Sequence, residues 1–552
     1  MHAVFYIPEI LTAIFRDVVA AGAPRHSLAV LASVCKAWKE VALDEGWQVL
    51  PSVQPLLKIL PHRQLRAAPG KIRFAWARNF TRADWARLQY YAQRVRNLRL
   101  DDKTRLSPVL SLARRSREAG SPLLPNLRML QIDHPEAEAQ PQETLSLLAT
   151  KSLRHLDFLL DKESVWLRDP QGFECIVDMI ATLFPALEQL EFKVVTNSDE
   201  PEDEYEEEEG EEAPEDWCID YHVVPLALKE FRLPYLKVFR CHLPICLDDF
   251  FDLGKLPHLE DVDLRVNRET WGDEDGEEEG AAAPTRHASF PALRELGISG
   301  PCLEDVVRLL GFFQKHSLES LKLAAYTRSA TTAEQIETIL RFAGRTSNPG
   351  SFRELLLHCK DSGFPDYQLN IDQFKQHLYK CANLEQLQIG TLITVNGTDP
   401  QMEEMALTWP KLQYLWLGNW PYSELTRFTL EGLRAFRRHC PELHALSLAV
   451  DARMSVAESD VEMQGQDEKD DVKMDGEDGG HERKTEQPSH PLEHLCIANS
   501  AIGATDPVAK LLGDMFPNLT RVEAEDVVTG AYGRWVDVRA ALSDALDRYI
   551  GS

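Results

Sequence analysis

Pro185-Ala186-Leu187-Glu188-Gln189-Leu190-Glu191-Phe192 decides the reading of this 552-residue chain, because its spacing returns along most of the sequence. The string holds an apolar residue, two variable ones, a second apolar residue, one variable residue and a third apolar one. It recurs fourteen times, beginning at Val95, Leu127, Leu153, Leu187, Leu236, Leu259, Leu293, Leu318, Phe352, Leu384, Leu412, Leu443, Leu492 and Leu519. In several copies a proline stands two residues ahead, as at Pro291, Pro410 and Pro441, and favours a turn into extended chain. The fourth and sixth positions point to one face of a short strand and the fifth to the other, so one face is core.

Between these strings lie amphipathic stretches such as Leu303 to His316, Ala333 to Ala343, Ile371 to Tyr379 and Leu430 to Arg438, which predict helices on the outer side. Successive starts are 23 to 34 residues apart, except for two gaps of 49. The pattern resembles the strand-plus-helix leucine-rich repeat, whose units stack because none can bury its apolar face alone. The asparagine that usually follows the strand stands clearly only at Asn267; Pro135, Val195, Tyr326 or Trp420 take its place elsewhere. An irregular solenoid is therefore expected over 95–533. Trp535, Val538 and Leu542 suggest a capping helix within 534–552.

The opening of the chain has a different texture. Ile7-Pro8-Glu9-Ile10-Leu11, Ile14-Phe15, Leu28, Leu31 and Val34-Cys35-Lys36-Ala37-Trp38 carry helical spacing, with Gly22 and Pro24 between a first and a second helix. Residues 1–50 resemble an F-box, and the chain as a whole resembles the F-box and leucine-rich-repeat proteins of mushroom-type fungi. The fold class so implied is α/β: a three-helix F-box, a helical linker or cap over 51–94, and a right-handed αβ arc of repeats. In that family the F-box docks onto a Skp-type adaptor of a cullin-RING ubiquitin ligase, while the repeats capture a protein substrate. Carried over by position, the adaptor-binding residues are Ile7, Pro8, Glu9, Ile10, Leu11, Val34, Cys35 and Trp38. The adaptor and a cullin scaffold are then the implied partners.

Charge is unevenly distributed. Residues 199 to 217 hold thirteen Asp or Glu and no Lys or Arg, residues 273 to 279 hold six acids and no base, and residues 455 to 487 hold twelve against four. These runs contribute 4 − 31 = −27 of the net −28. They predict acidic insertions at 199–217, 273–284 and 455–488 that cannot collapse into a core. A sharper reading makes them lures for basic proteins such as histones. Between His62 and Arg117, fifteen Lys or Arg stand against three Asp. Nucleic acid is disfavoured as its ligand, because no nucleic-acid fold accompanies the charge.

Nothing in the sequence points to catalysis. There is no phosphate loop, H-E-x-x-H, G-x-S-x-G or C-x-x-C, and neither cofactor nor metal is expected. No apolar run reaches the roughly 18 residues of a membrane span, so a cytoplasmic or nuclear protein without membrane contact is expected. The solvent-facing fifth positions become apolar and aromatic in the C-terminal half. Leu356, Gln388, Tyr414, Trp416, Asn419, Trp420 and Tyr422 are the candidate substrate-binding residues, since exposed aromatics anchor interfaces. The readings left open are a ubiquitin-ligase substrate receptor, a non-catalytic repeat scaffold, and an acidic binder of basic proteins.

Overall fold

The computed structural model describes residues 7–20, 26–68, 71–76, 80–100, 106–118, 120–133, 141–161, 170–195, 233–267, 286–313, 315–326, 331–359, 368–390, 394–418, 427–453, 490–497, 500, 502–523 and 534–542. The three acidic insertions lie outside them. The chain divides into two units, Met1–Leu293 and Arg294–Ser552.

The first unit begins with three helices, α1 (Pro8–Ala20), α2 (His26–Val34) and α3 (Lys36–Gln48). Proline at the start of α1 loses no hydrogen bond there. Leu11 and Phe15, four residues apart on α1, meet Leu28 of α2 and Ala42 of α3 in a small core, with Leu31, Trp38 and Val41 packed around it. Trp38 sets its ring edge-on to Phe15, centroids 5.6 Å apart. Cys35, in extended conformation, separates α2 from α3.

Helix α3 runs without a connecting loop into β1 (Val49–Leu50). Next come α4 (Gln54–Ile59), an antiparallel hairpin of β2 (His62–Ala68) and β3 (Lys71–Trp76), and α5 (Arg82–Ala92). The hairpin was not anticipated in a segment expected to be helical. A capping box between Thr81 and Asp84 starts α5.

From there each repeat contributes one strand to a parallel ladder: β4 (Asn97–Leu100), β5 (Met129–Asp133), β6 (His155–Asp161), β7 (Gln189–Val195), β8 (Val238–Pro244) and β9 (Asp261–Arg265), with β1 pairing onto β4. The register places equivalent repeat positions side by side, as in Leu98–Leu130 and Leu130–Leu156. Phe158 and Phe192 stack at 5.0 Å inside the sheet.

The second unit repeats the arrangement. Its ladder holds β10 (Glu295–Gly300), β11 (Ser320–Ala325) and β12 (Glu354–Cys359). After β13 (Gln368–Asn370) come β14 (Gln386–Gly390), β15 (Thr394–Asn396), β16 (Tyr414–Leu417), β17 (Ala445–Leu448), β18 (His494–Cys496) and β19 (Arg521–Glu523). Strands β13 and β15 pair only with each other. The fold is thus mixed α/β with long parallel ladders of strand–helix repeats.

All fourteen string openings are buried, none more than 2% exposed, and each lies just ahead of its strand. The prolines have a more specific role than extended entry. In the repeat quoted first, the Leu187 N–H donates to the Phe184 carbonyl at 3.0 Å, and the same bond recurs from Leu412 to Trp409 at 3.1 Å and from Leu443 to Cys440 at 3.2 Å. Pro185, Pro410 and Pro441 occupy the second position of these turns, where their fixed φ suits them.

The outer helices start with capping boxes at Thr332, Asn370 and Thr398. Helix Leu303–Leu310 is shorter than its amphipathic stretch and is capped by Gly311. A Cβ at Gly344 would sit 2.5 Å from the His377 carbonyl, so consecutive helices approach there as only glycine permits. The helix over 534–542 buries Trp535, Val538 and Leu542, and the Trp535 indole donates to the Ser500 carbonyl at 2.8 Å.

Candidate functional site

The three-helix module presents more apolar surface than its core consumes. On α1, Leu11 and Phe15 point into the core, while Ile7 and Ile14 are 42% and 38% exposed and Ile10 is partly exposed. Ile7, Ile10 and Ile14 follow one another at three- and four-residue spacing, making the apolar stripe of α1 wider than packing requires. Val30 and Val34, one turn apart on α2, are 59% and 46% exposed.

The predicted adaptor-binding set therefore divides. Ile7, Pro8, Glu9 and Val34 are exposed, and Ile10, Cys35 and Trp38 are partly buried. Leu11, at 1% exposure, lies in the core and Trp38 packs against it, so these two hold the module together from inside. Ile14 and Val30, absent from that set, belong to the exposed surface. Sequence spacing alone does not separate them from core positions.

The module is fastened to the repeats behind it. The Tyr90 hydroxyl donates to Glu40 at 2.8 Å, Arg94 bonds both Glu40 and Asp44 while lying over the Tyr90 ring at 4.7 Å, and Trp47 packs on Tyr91 at 4.6 Å. The Tyr90 hydroxyl, with Arg94, holds the Glu40 carboxyl below its usual range.

Along the ladders, the fifth positions form rows. In the first unit Arg99, Gln131, Asp157, Glu191, Arg240 and Asp263 are successive cross-strand partners. Arg99 pairs with Asp133, and Arg240 with Asp261 at 2.6 Å. Asp157 is pushed up to about 6 by burial and then by the neighbouring charge of Glu191. Within the basic stretch, Arg94, Arg99 and Arg114 thus have carboxylate partners, the last in Glu143.

In the second unit the row runs Lys322, Leu356, Gln388, Trp416, Ser447, Cys496 and Glu523. The structure brings Leu356, Gln388 and Trp416 together as predicted neighbours, with Tyr414 on the same strand and 37% exposed. Asn419, Trp420 and Tyr422 lie outside the described residues. The row is not uniformly open: Ser447 and Cys496 are buried. Trp416, the cross-strand partner of Ser447, reaches His494 across the Ala445–Leu448 strand, ring centroids 6.2 Å apart. Gly418, at φ 67°, directly follows β16 in a conformation that favours glycine.

Among the described residues no cluster of His, Cys, Asp or Glu could hold a metal ion, and no helix is long and apolar enough to cross a membrane.

No family model matches the chain, and no curated protein matches it. Among solved structures it is similar to the Rad7 and Elc1 complex in yeast, at TM-score 0.32 and 14% identity, covering 64% of this chain and 76% of that one. It is also similar to a protein from Bacteroides fragilis, at TM-score 0.22 and 15% identity, covering 57% and 74% respectively. At these scores neither likeness bears on function.

Proposed function

We propose that the chain is the substrate-recognition adaptor of an SCF-type cullin-RING ubiquitin ligase. Residues 7–48 bind a Skp-type adaptor and through it the cullin scaffold, and the strand rows of the repeats capture a protein substrate. Catalysis belongs to the other subunits.

The observation that carries this reading is where exposed apolar side chains collect. Ile7, Ile14, Val19, Val30 and Val34 fall within the first three dozen residues, whereas the remaining described chain has six large exposed hydrophobics in all. An apolar surface so concentrated on a small helical module, with the F-box resemblance of its sequence, supports an interface with another protein. The rows around Leu356, Gln388 and Trp416 supply aromatic and amide groups suited to a second partner.

The test is co-purification with a Skp-type adaptor. Val30→Asp with Val34→Asp changes surface only and is expected to abolish binding while the melting temperature stays within a degree or two of wild type. Adaptor binding that survives both substitutions, or a folded wild type that does not bind, refutes the proposal. If binding occurs but no captured client is ubiquitinated in the reconstituted ligase, the scaffold reading takes over.

A further inference from the structure

The second position of each repeat string lies immediately ahead of its strand and forms a row of its own. Its backbone is continuous: Arg128 N–H donates to the Arg96 carbonyl at 2.6 Å, Arg154 to Arg128 at 2.8 Å, Glu188 to Arg154 at 2.7 Å and Lys237 to Glu188 at 2.8 Å. Side chains along such a row are about 4.8 Å apart from strand to strand, close enough that like charges repel and opposite charges pair.

In most of the row the sequence respects this constraint. In the first unit Glu188 stands between Arg154, at 3.4 Å, and Lys237, at 3.0 Å. In the second unit Arg294 pairs with Glu319 at 3.1 Å and Arg353 with Glu385 at 3.0 Å. The alternation fails at one end, where Arg96, Arg128 and Arg154 follow one another. Among the described residues Arg96 and Arg128 have no carboxylate partner.

The same place holds a groove of about 710 Å³, lined by the three arginines with Gln48, Gln93 and Asn97. It also contains Arg94, Asp44 and Glu188, but these already have partners: Arg94 and Asp44 pair with each other, and Glu188 holds Lys237 and Arg154.

We propose that this groove binds a single anionic group on a protein partner, a phosphate monoester held jointly by Arg96 and Arg128. Two guanidinium groups on adjacent strands are spaced to converge on one tetrahedral anion, which accepts from several N–H donors at once. The bound anion also offsets the repulsion between these two neighbouring guanidinium groups. This inference stands independently of any ubiquitin-ligase role, because it rests on the charge row and the groove alone.

The experiment is a phosphorus-31 NMR titration of the full chain with inorganic phosphate and with the peptide Gly-Gly-phosphoserine-Gly-Gly in 50 mM salt, compared with Arg96→Gln/Arg128→Gln. Arg294→Gln/Arg353→Gln, which removes two paired arginines of the same row, serves as the control. Line broadening of both probes by wild type is expected, with a loss of tenfold or more in affinity in the first variant and none in the control. The first variant leaves the backbone ladder intact, and an unchanged melting curve verifies its fold. Absence of binding by wild type, equal binding by the first variant, or an equal loss in the control overturns the proposal. So does tighter binding of Gly-Gly-Glu-Gly-Gly than of the phosphopeptide, or displacement of the phosphopeptide by an equimolar oligonucleotide, because a carboxylate or nucleic acid would then be the occupant.

Discussion

Asp157→Asn should stabilise the first unit at neutral pH and leave it nearly unchanged in acid. The Asp157 side chain stands between Gln131 and Glu191 on adjacent strands, and its Oδ1 is buried without a hydrogen-bond partner. Burial, followed by the charge of Glu191, raises its carboxyl from 3.8 to about 6, against the opposing pull of Lys193 and Arg240. At about 1.4 kcal/mol for each tenfold change in proton affinity, that rise corresponds to about 3 kcal/mol. The carboxyl retains some solvent contact, and screening reduces the figure to about 1–2 kcal/mol. The sign follows from proton uptake. Between 3.8 and 6 the folded state holds a proton that the unfolded chain has released, so stability falls as pH rises through that window. Above it, the ionised carboxylate carries the full penalty. The amide has the same shape and no charge, so the variant should exceed wild type by about 1–2 kcal/mol at pH 7.5 and by close to nothing at pH 4. Urea unfolding of both proteins at the two pH values, followed by hydrogen exchange on β6 and β7, measures the difference of differences. An equal gap at both pH values, or no gain at pH 7.5, would show that the buried charge is not what limits this strand.

Three further outcomes follow from packing. Leu11→Ala should remove about 2–4 kcal/mol from the three-helix module, seen as faster proteolytic cleavage within residues 7–48 while the repeats persist. Gly397→Ala should destabilise the second unit by about 1–3 kcal/mol in thermal unfolding, because the new Cβ would lie 2.5 Å from the Phe428 ring, which is itself fully buried. Trp416→Ala removes the ring that spans β17 to His494 and should lower stability by about 1–3 kcal/mol, with faster amide exchange on β17 as the local readout; unchanged exchange there would mean that the indole does not shield the strand.

The repeats were legible because their signal is the core itself. Each string opening is a side chain that must be buried, and the positions from Val95 to Leu519 are all followed by the expected strand. What escaped has physical reasons. Strand β1 is two residues long and follows a helix directly, so it contains no period to detect. In the β2–β3 hairpin the sequence His62-Arg63-Gln64-Leu65-Arg66 shows little apolar alternation, and tertiary context decides its conformation. On α1, residues that pack inward and residues that face solvent are equally apolar, so Leu11 and Ile14 cannot be told apart without coordinates. The row of second positions was readable in principle. Its alternating charges are visible in Glu188, Lys237 and Glu260, but their meaning depends on register, which places residues far apart in sequence side by side.

The junction at Gln48 ties these observations together. The last residue of α3 accepts, through its carbonyl, the N–H of Arg96 at 2.9 Å, and the next residue is already in the ladder, with Val49 opposite Asn97. Arg94, two residues before Arg96, closes the same corner from the other side by bonding Glu40 and Asp44 of α3. A flexible linker would have made the helical module an independent body on a tether, whose reach grows with linker length. A helix that becomes a strand within one residue, with a buried guanidinium across the corner, instead fixes the exposed apolar side chains of α1 and α2 relative to the first repeats. The groove at Arg96 and Arg128 lies along that same corner, with Asp44 and Gln48 in its wall. The wall of the groove is therefore built in part from the residues that fasten the module to the first repeats.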